Sequence, residues 1–421
     1  LHATRETQAA AAGDLVYGRE CPTYGVVRHR DQQTVFMNHT SFRSHLLPPA
    51  GSVPLDGAAR EVHRAVGDIR RGVPVLIEDA QGGRLLGLPA ETATPETLAE
   101  FLSATAPAPG PALVIALSRA VAGRIGAAPL EGTGELAALP LDAAHLTVDT
   151  LRALADPTLL QAPDRLLRPA DAPALPAPLA KAAVALAKLA RLLPAMLVAP
   201  PRDVAPPTLL AVDEAAIAAY PANAAAALVR VASARVPLDD ALDARIVAFR
   251  PPDGGIEHLA ILIGDPEHAD APLVRVHSEC FTGDLLGSRR CDCGPQLHQA
   301  IRRMAAEGAG VLLYMAQEGR GIGLVNKLRA YTLQDAGLDT LDANRALGFD
   351  ADERSFAAAA VMLEQLGIAR IRLLTNNPQK IAGLTAHGIE VAGRVSHAIA
   401  ANGENDSYLE TKARRFGHLL G

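Results

Sequence analysis

Short apolar runs alternate along the chain with longer stretches in which apolar residues recur every three or four positions. A helical spacing over Arg60–Asp68 leads into Val73–Glu78 (VPVLIE), and a second run follows at Leu113–Leu117 (LVIAL); both read as buried strands. Thr94-Pro95-Glu96 opens a helix, with proline at an early position and an acid in the first turn. Proline thickens over Ala155–Pro178 and Ala199–Pro207, with an Ala/Leu helix between them. The alternation then resumes. Strands are expected at Leu259–Ile263, Leu273–His277, Val311–Tyr314 and Arg370–Leu374, and helices at Gln296–Glu307, Leu324–Ala336 and Asp352–Leu366. This pattern predicts an α/β (α+β) protein of two mixed-sheet domains, residues 56–205 and 206–421, behind an extension at 1–55.

Composition sharpens this picture in three places. Aromatic residues make up 3% of the chain and Trp is absent, so the cores must be built from Ala, Leu and Val. The net charge of −6 argues against broad non-specific nucleic-acid binding. The most apolar stretch, Leu179–Pro200, contains Lys181, Lys188, Arg191 and Pro194, which fits a partly buried helix better than a membrane span. Residues 1–20 lack a continuous apolar core, so a cytoplasmic protein is expected; Leu1 in place of Met fits a trimmed N-terminus.

Of the four cysteines, Cys21 stands alone as an ordinary thiol, whereas Cys280, Cys291 and Cys293 form a C-x10-C-x-C cluster. Thiolates suit Zn²⁺, and three protein ligands leave the fourth position to water, as in catalytic sites. Two plainer readings stay open at this level. His277 or His298 can complete a structural site, or the three cysteines can be free thiols in a core.

The segments RVHSECFTGDLLGSRRCDCGPQ (275–296), QEGRGIGLVNKLRAYTLQDAGLDTLDANRALGFDADER (317–354), LLTNNPQK (373–380) and the tail Tyr408–Leu420 closely resemble the GTP cyclohydrolase II family. The resemblance implies zinc on Cys280, Cys291 and Cys293. It implies GTP contacts from Arg275, Val276, His277, Ser278, Glu279, Gln296, Glu318, Gly319, Arg320, Thr340, Thr375 and Lys380. Asp352 would be the proton acceptor and Arg354 a nucleophile at the α-phosphate; because guanidinium stays protonated, a charge clamp is the competing role for Arg354. Tyr331 would serve the release of formate. Read without the resemblance, Asp352 is a helix N-cap, Tyr331 a buried helix residue and EGRGIG an ordinary strand-to-helix turn. Pro295 departs from the larger apolar or aromatic residue expected there.

The implied reaction opens the guanine imidazole ring of GTP, releasing formate and, with Mg²⁺ on its oxygens, pyrophosphate. The product is 2,5-diamino-6-ribosylamino-4(3H)-pyrimidinone 5′-phosphate, at the start of riboflavin synthesis, and the family implies a homodimer. Two alternatives remain: a reaction stopping at a formamidopyrimidine or serving another pathway, and a non-catalytic nucleotide sensor.

IRRGVPVLIED (69–79), TPETLAEFL (94–102), LVIALSRAVAGRIGAAPL (113–130), AVALAKLARLLPAMLVA (183–199) and VDEAAIAAY (212–220) are similar, more faintly, to 3,4-dihydroxy-2-butanone-4-phosphate synthase. That family's acidic cluster and histidine segment are missing: the chain reads Glu78-Asp79-Ala80-Gln81-Gly82-Gly83-Arg84 and, at 174–178, Ala-Leu-Pro-Ala-Pro. No synthase activity is expected of this half, which is read as a structural or dimerisation partner.

Overall fold

A computed structural model describes residues 57–159, 166, 174–203, 209–251, 254–399, 402–405, 410–411, 413–415 and 417. The extension, Cys21 and most of the Tyr408–Leu420 tail lie outside the described residues.

The N-terminal half begins with α1 (Gly57–Arg70), which buries Ala59, Val62, Ala65, Val66 and Ile69 at helical spacing. Strands β1 (Val75–Glu78) and β2 (Arg84–Pro89) form a hairpin. Helix α2 (Pro95–Ala104) starts where expected: the Thr94 hydroxyl accepts the Thr97 N–H and the Thr97 hydroxyl accepts the Thr94 N–H. Then come β3 (Ala112–Ala116), α3 (Leu117–Ala122), β4 (Ala128–Pro129), β5 (Leu136–Pro140), α4 (Val148–Ala155), α5 (Ala177–Leu189), β6 (Ala195–Ala199) and β7 (Leu210–Asp213). The sheet order is β4-β5-β3-β6-β2-β1-β7, antiparallel except for the β1–β7 pair. The apolar stretch Leu179–Pro200 thus divides into a helix and a strand, and no helix among the described residues is long and apolar enough to cross a membrane. Because β7 pairs with β1, the first sheet extends past the expected boundary at residue 205.

After α6 (Glu214–Ala226), the second sheet takes in β8 (Val229–Arg235), β9 (Arg245–Arg250), β10 (His258–Gly264), β11 (Leu273–Ser278), β12 (Ala309–Met315), β13 (Arg370–Leu374) and β14 (Glu390–Val395). Its order is β14-β13-β11-β12-β10-β9-β8. The four strands β14, β13, β11 and β12 run parallel, while β10, β9 and β8 continue antiparallel. The helices are α7 (Cys293–Glu307), α8 (Leu324–Asp335), α9 (Thr340–Ala346), α10 (Ala357–Gln365) and α11 (Pro378–Ala386). β12 lies on one side of β11 and β13 on the other, so the loops leaving their carboxyl ends diverge. That opens the crevice where ligands bind in parallel sheets.

The helix expected from Asp352 begins instead at Ala357. Its N-terminal neighbour Phe356 makes no side-chain cap, so Asp352 is not an N-cap. The two halves share a core. Ile322, Ala330, Ala343, Leu347 and Phe349 belong to the same cluster as Phe101, Leu151 and Leu154. Beside it, Arg329 on α8 pairs with Glu91 at 2.9 Å and Asp156 at 2.7 Å.

Candidate active site

Cys280 follows β11, a π-helical turn Phe281–Leu285 reverses the chain, and Cys291 and Cys293 sit at the start of α7. The three Sγ atoms lie within 4.8 Å of one another, unbridged by disulfides. Two sulfurs bound tetrahedrally to zinc at about 2.3 Å lie about 3.8 Å apart. The Cys280–Cys291 Sγ distance is 3.8 Å. Gly283 faces the cluster: a Cβ there would meet the Cys291 Sγ at 2.8 Å and the Cys280 Sγ at 2.9 Å. Soft donors at tetrahedral spacing around a kept space fit zinc, and among the described residues no fourth His, Cys, Asp or Glu joins them. His277 directs its Nε2 to both oxygens of Asp284 at 3.1 Å, and exposed His298 lies toward Asp240, 3.7 Å away. Neither completes the set.

Asp284 organises the turn. It also accepts the Cys280 N–H at 3.0 Å and the Tyr314 hydroxyl at 3.0 Å, and Tyr314 stacks on His277. Burial holds the His277 imidazole below its usual range, against the pull of Asp284. Lys327, from α8, donates to the Cys280 Sγ at 3.1 Å, Thr282 Oγ1 at 2.9 Å and Glu318 Oε1 at 2.8 Å. Hydrogen bonds from Cys291 and Cys293, with the Lys327 charge added, hold the Cys280 thiol far below its usual range; the hydrogen bond that Cys291 gives to Cys280 pushes Cys291 up to about 11.

The other walls come from the carboxyl ends of β12 and β13. Gly319 (φ +62°) and Arg320 (φ +63°) turn the chain sharply between β12 and α8. The buried Glu318 carboxylate accepts the Phe281 N–H at 2.6 Å, joining this turn to the cysteine loop. Arg275 is buried, its pKa pushed down to about 10 by desolvation; it donates to the Leu374 carbonyl and to Gln296 Oε1. Lys380 donates to the Val276 carbonyl at 2.6 Å, and the Thr375 hydroxyl accepts the Asn377 N–H at 3.0 Å. Arg354 grips Asp352 as a fork, Nε to Oδ1 at 2.8 Å and Nη2 to Oδ2 at 2.5 Å, and its Nη1 reaches Ser278 Oγ at 3.3 Å. Burial pushes the Asp352 pKa up, but Arg354 outweighs it and the net shift is downward.

One cavity collects nearly every residue expected from sequence. The three cysteines, Arg275, His277, Ser278, Glu279, Gln296, Glu318, Gly319, Arg320, Tyr331, Thr340, Arg354, Thr375 and Lys380 all line it. Val276 is buried in β11, and Asp352 stands behind Arg354 rather than on the wall. Tyr331 lies under the guanidinium of Arg290, 4.7 Å from its ring centre, so it is a wall residue rather than a core one. Asp284, Tyr314 and Lys327 escaped sequence reasoning although all three stand in or beside the motifs. A lone acid or lysine reads there as a solvated side chain.

Comparison with known proteins bears on this site directly. The profile of the GTP cyclohydrolase II family matches residues 229–396. GTP cyclohydrolase-2 of Azospirillum brasilense is 48% identical over 386 residues, covering 89% of this chain and 97% of that protein. Riboflavin biosynthesis protein RibBA of Bacillus subtilis is 56% identical over 167 residues, 39% of this chain and 42% of that one. Among solved structures, RibBX, a two-domain 3,4-dihydroxy-2-butanone 4-phosphate synthase from A. baumannii, covers 80% of this chain and 99% of its own, at 18% identity and a TM-score of 0.30. That likeness is too weak to carry the fold assignment, which rests on the strand order above. The catalytic class is that of a hydrolase. The chain belongs to the GTP cyclohydrolase II family.

Proposed function

We propose that the chain hydrolyses GTP to 2,5-diamino-6-ribosylamino-4(3H)-pyrimidinone 5′-phosphate, formate and pyrophosphate, supplying riboflavin synthesis. The observation that carries this reading is the thiol trio at zinc spacing, open on one side, in the wall of a cation-lined crevice. Zinc on Cys280, Cys291 and Cys293 supplies a Lewis acid and an activated water at neutral pH.

The remaining work falls to side chains. Arg320 and Lys380 meet the triphosphate as cations, with Mg²⁺ travelling on the substrate's phosphate oxygens. Arg354, with Nε and Nη2 both committed to Asp352, acts as a charge clamp at the phosphates rather than a nucleophile. Asp352 stays ionised at neutral pH, the state a proton acceptor needs. The Tyr331 hydroxyl, protonated at neutral pH like any phenol and pushed further up by burial, is the donor to the opened formamide that carries the reaction through to formate. Arg275, Gln296 and the neutral His277 frame the base. The N-terminal half is read as contributing no chemistry of its own, because residues 78–84 and 174–178 lack the acidic cluster and histidine segment that the synthase chemistry needs.

The decisive experiment combines metal analysis with a product assay. Zinc near one per chain is expected, and chelation should abolish formate release while GTP still binds. A zinc-free active enzyme would overturn the metal role; a product retaining the formyl group would place the chain with enzymes that stop early.

A further inference from the structure

We infer that the N-terminal half reaches into the C-terminal site through one side chain, making Arg191 a positioning residue for the turn 316–323 that presents Glu318, Gly319 and Arg320. The inference rests on the reading above for what that turn binds, and on geometry of its own for how the turn is held.

Helix α5 closes with the Arg191 N–H on the Lys188 carbonyl at 2.9 Å and the Leu192 N–H on the Ala187 carbonyl at 3.0 Å. In such a closure the residue after the cap is left-handed, the place of glycine. Arg191 occupies it at φ +59°. A side chain there is strained, and surrounding contacts must hold it. The contacts all lead to one place. Nη2 of Arg191 donates to the Ala316 carbonyl at 2.9 Å, while the Ala316 N–H is held by His258 Nδ1 at 3.1 Å. The Arg191 carbonyl accepts Asn326 Nδ2 at 3.0 Å. Its aliphatic stem seats on Gly323, where a Cβ would meet the Arg191 Cδ at 3.2 Å. Both ends of the turn are therefore pinned by one residue of the other half. Its guanidinium also lies close enough to Glu279 and Glu318 to feel their charge. Arg191 does not line the cavity, so it acts through the turn and not on substrate.

A second cation near the same helix end supports the neighbouring loop. Lys188 pairs with Glu353 at 2.8 Å and Asp350 at 2.9 Å, and the Glu353 N–H donates to the Arg320 carbonyl at 3.1 Å. The loop bearing Asp352 and Arg354 is thus braced from the same direction.

Arg191→Gly in the full-length chain removes the guanidinium and the stem on Gly323 together while sparing the backbone, because glycine adopts the left-handed conformation freely and keeps the carbonyl for Asn326. The expected result is an unchanged or higher Tm, unchanged zinc content, and kcat/KM for GTP lower by about tenfold, as for one lost charge-assisted hydrogen bond. Guanidinium ion added to the assay should restore part of the loss. Amides of residues 316–323 should exchange faster. A kcat/KM within about twofold of the unmodified chain, with unchanged exchange, overturns the inference. If the unmodified chain releases no formate, the functional reading falls, and amide exchange alone decides the positioning role. Should the glycine variant not fold, Arg191→Lys, which keeps the charge and the stem but not the Nη2 that reaches the Ala316 carbonyl, is read by the same two measurements.

Discussion

A methyl group at position 283 would press on all three ligands at once, since the Cβ of Cys293 also lies 2.9 Å away. Real Cβ atoms do not approach so closely, and here the neighbours are fixed by the turn and by α7. Gly283→Ala is therefore expected to lose most bound zinc while the rest of the chain stays folded, which metal analysis beside a melting curve checks. The thiol trio was visible in the sequence as a cluster, but spacing alone left core thiols and a histidine-completed site open. It is the Sγ distances and the other partners of His277 and His298 that narrow the reading. The role of Asp284 was not visible, because its partners His277, Tyr314 and the Cys280 amide converge only in three dimensions. His258 carries a pH prediction at the same scale. Burial, with the Arg191 charge, holds its pKa down at about 4, against 6.5 ordinarily. Between those values the unfolded chain binds more protons than the folded one, so stability falls as pH falls from 6.5 toward 4. The Tm should drop across that window, and His258→Gln should flatten part of the slope. An identical Tm-against-pH curve would contradict this.

Helix α8 works on two faces. One carries Lys327, Ala330 and Tyr331 into the cavity; the other turns Asn326, Arg329 and Leu333 toward the N-terminal half. The Arg329 side chain is 19% exposed between Glu91 and Asp156, which are 17% and 7% exposed. Arg329→Ala takes the cation from two carboxylates that keep other donors, the Leu193 N–H on Glu91 and Thr158 on Asp156, at a cost of about 3 kcal/mol, the low end for breaking a buried pairing from one side. Denaturant unfolding measures it, and a loss below about 1 kcal/mol would mark the pairs as solvent-screened. At this scale the sequence was read well where strands are continuous apolar runs, as in β10 to β13. It was read poorly for β5 (LAALP), β8 (VRVASAR) and β14 (EVAGRV). Ala, Gly and Arg carry weak strand preference, and cross-strand neighbours decide such segments. Asp352 misled for a related reason. An acid ahead of an alanine run looks like a cap, yet its carboxylate is already committed to Arg354.

Across the molecule, two sheets were expected and two were found, but not the core they share. No local periodicity encodes contacts between residues more than a hundred positions apart, and α8, covered on both sides, lacks a clean polar face. Each half has buried clusters of its own, but the cluster joining Phe101, Leu151 and Leu154 to Ile322, Leu347 and Phe349 is completed only between them. Calorimetry is therefore expected to record a single cooperative transition for the described region, and two well-separated peaks would refute that coupling.

The same seam governs what happens if the chain is severed between α6 and β8. The downstream fragment would keep its cysteines and most of its crevice, but it would wear an oily scar where Ile322, Ala330, Leu347 and Phe349 had been covered. Such a piece is expected to stick to its own copies, so the upstream half acts as the lining that keeps its neighbour free-standing.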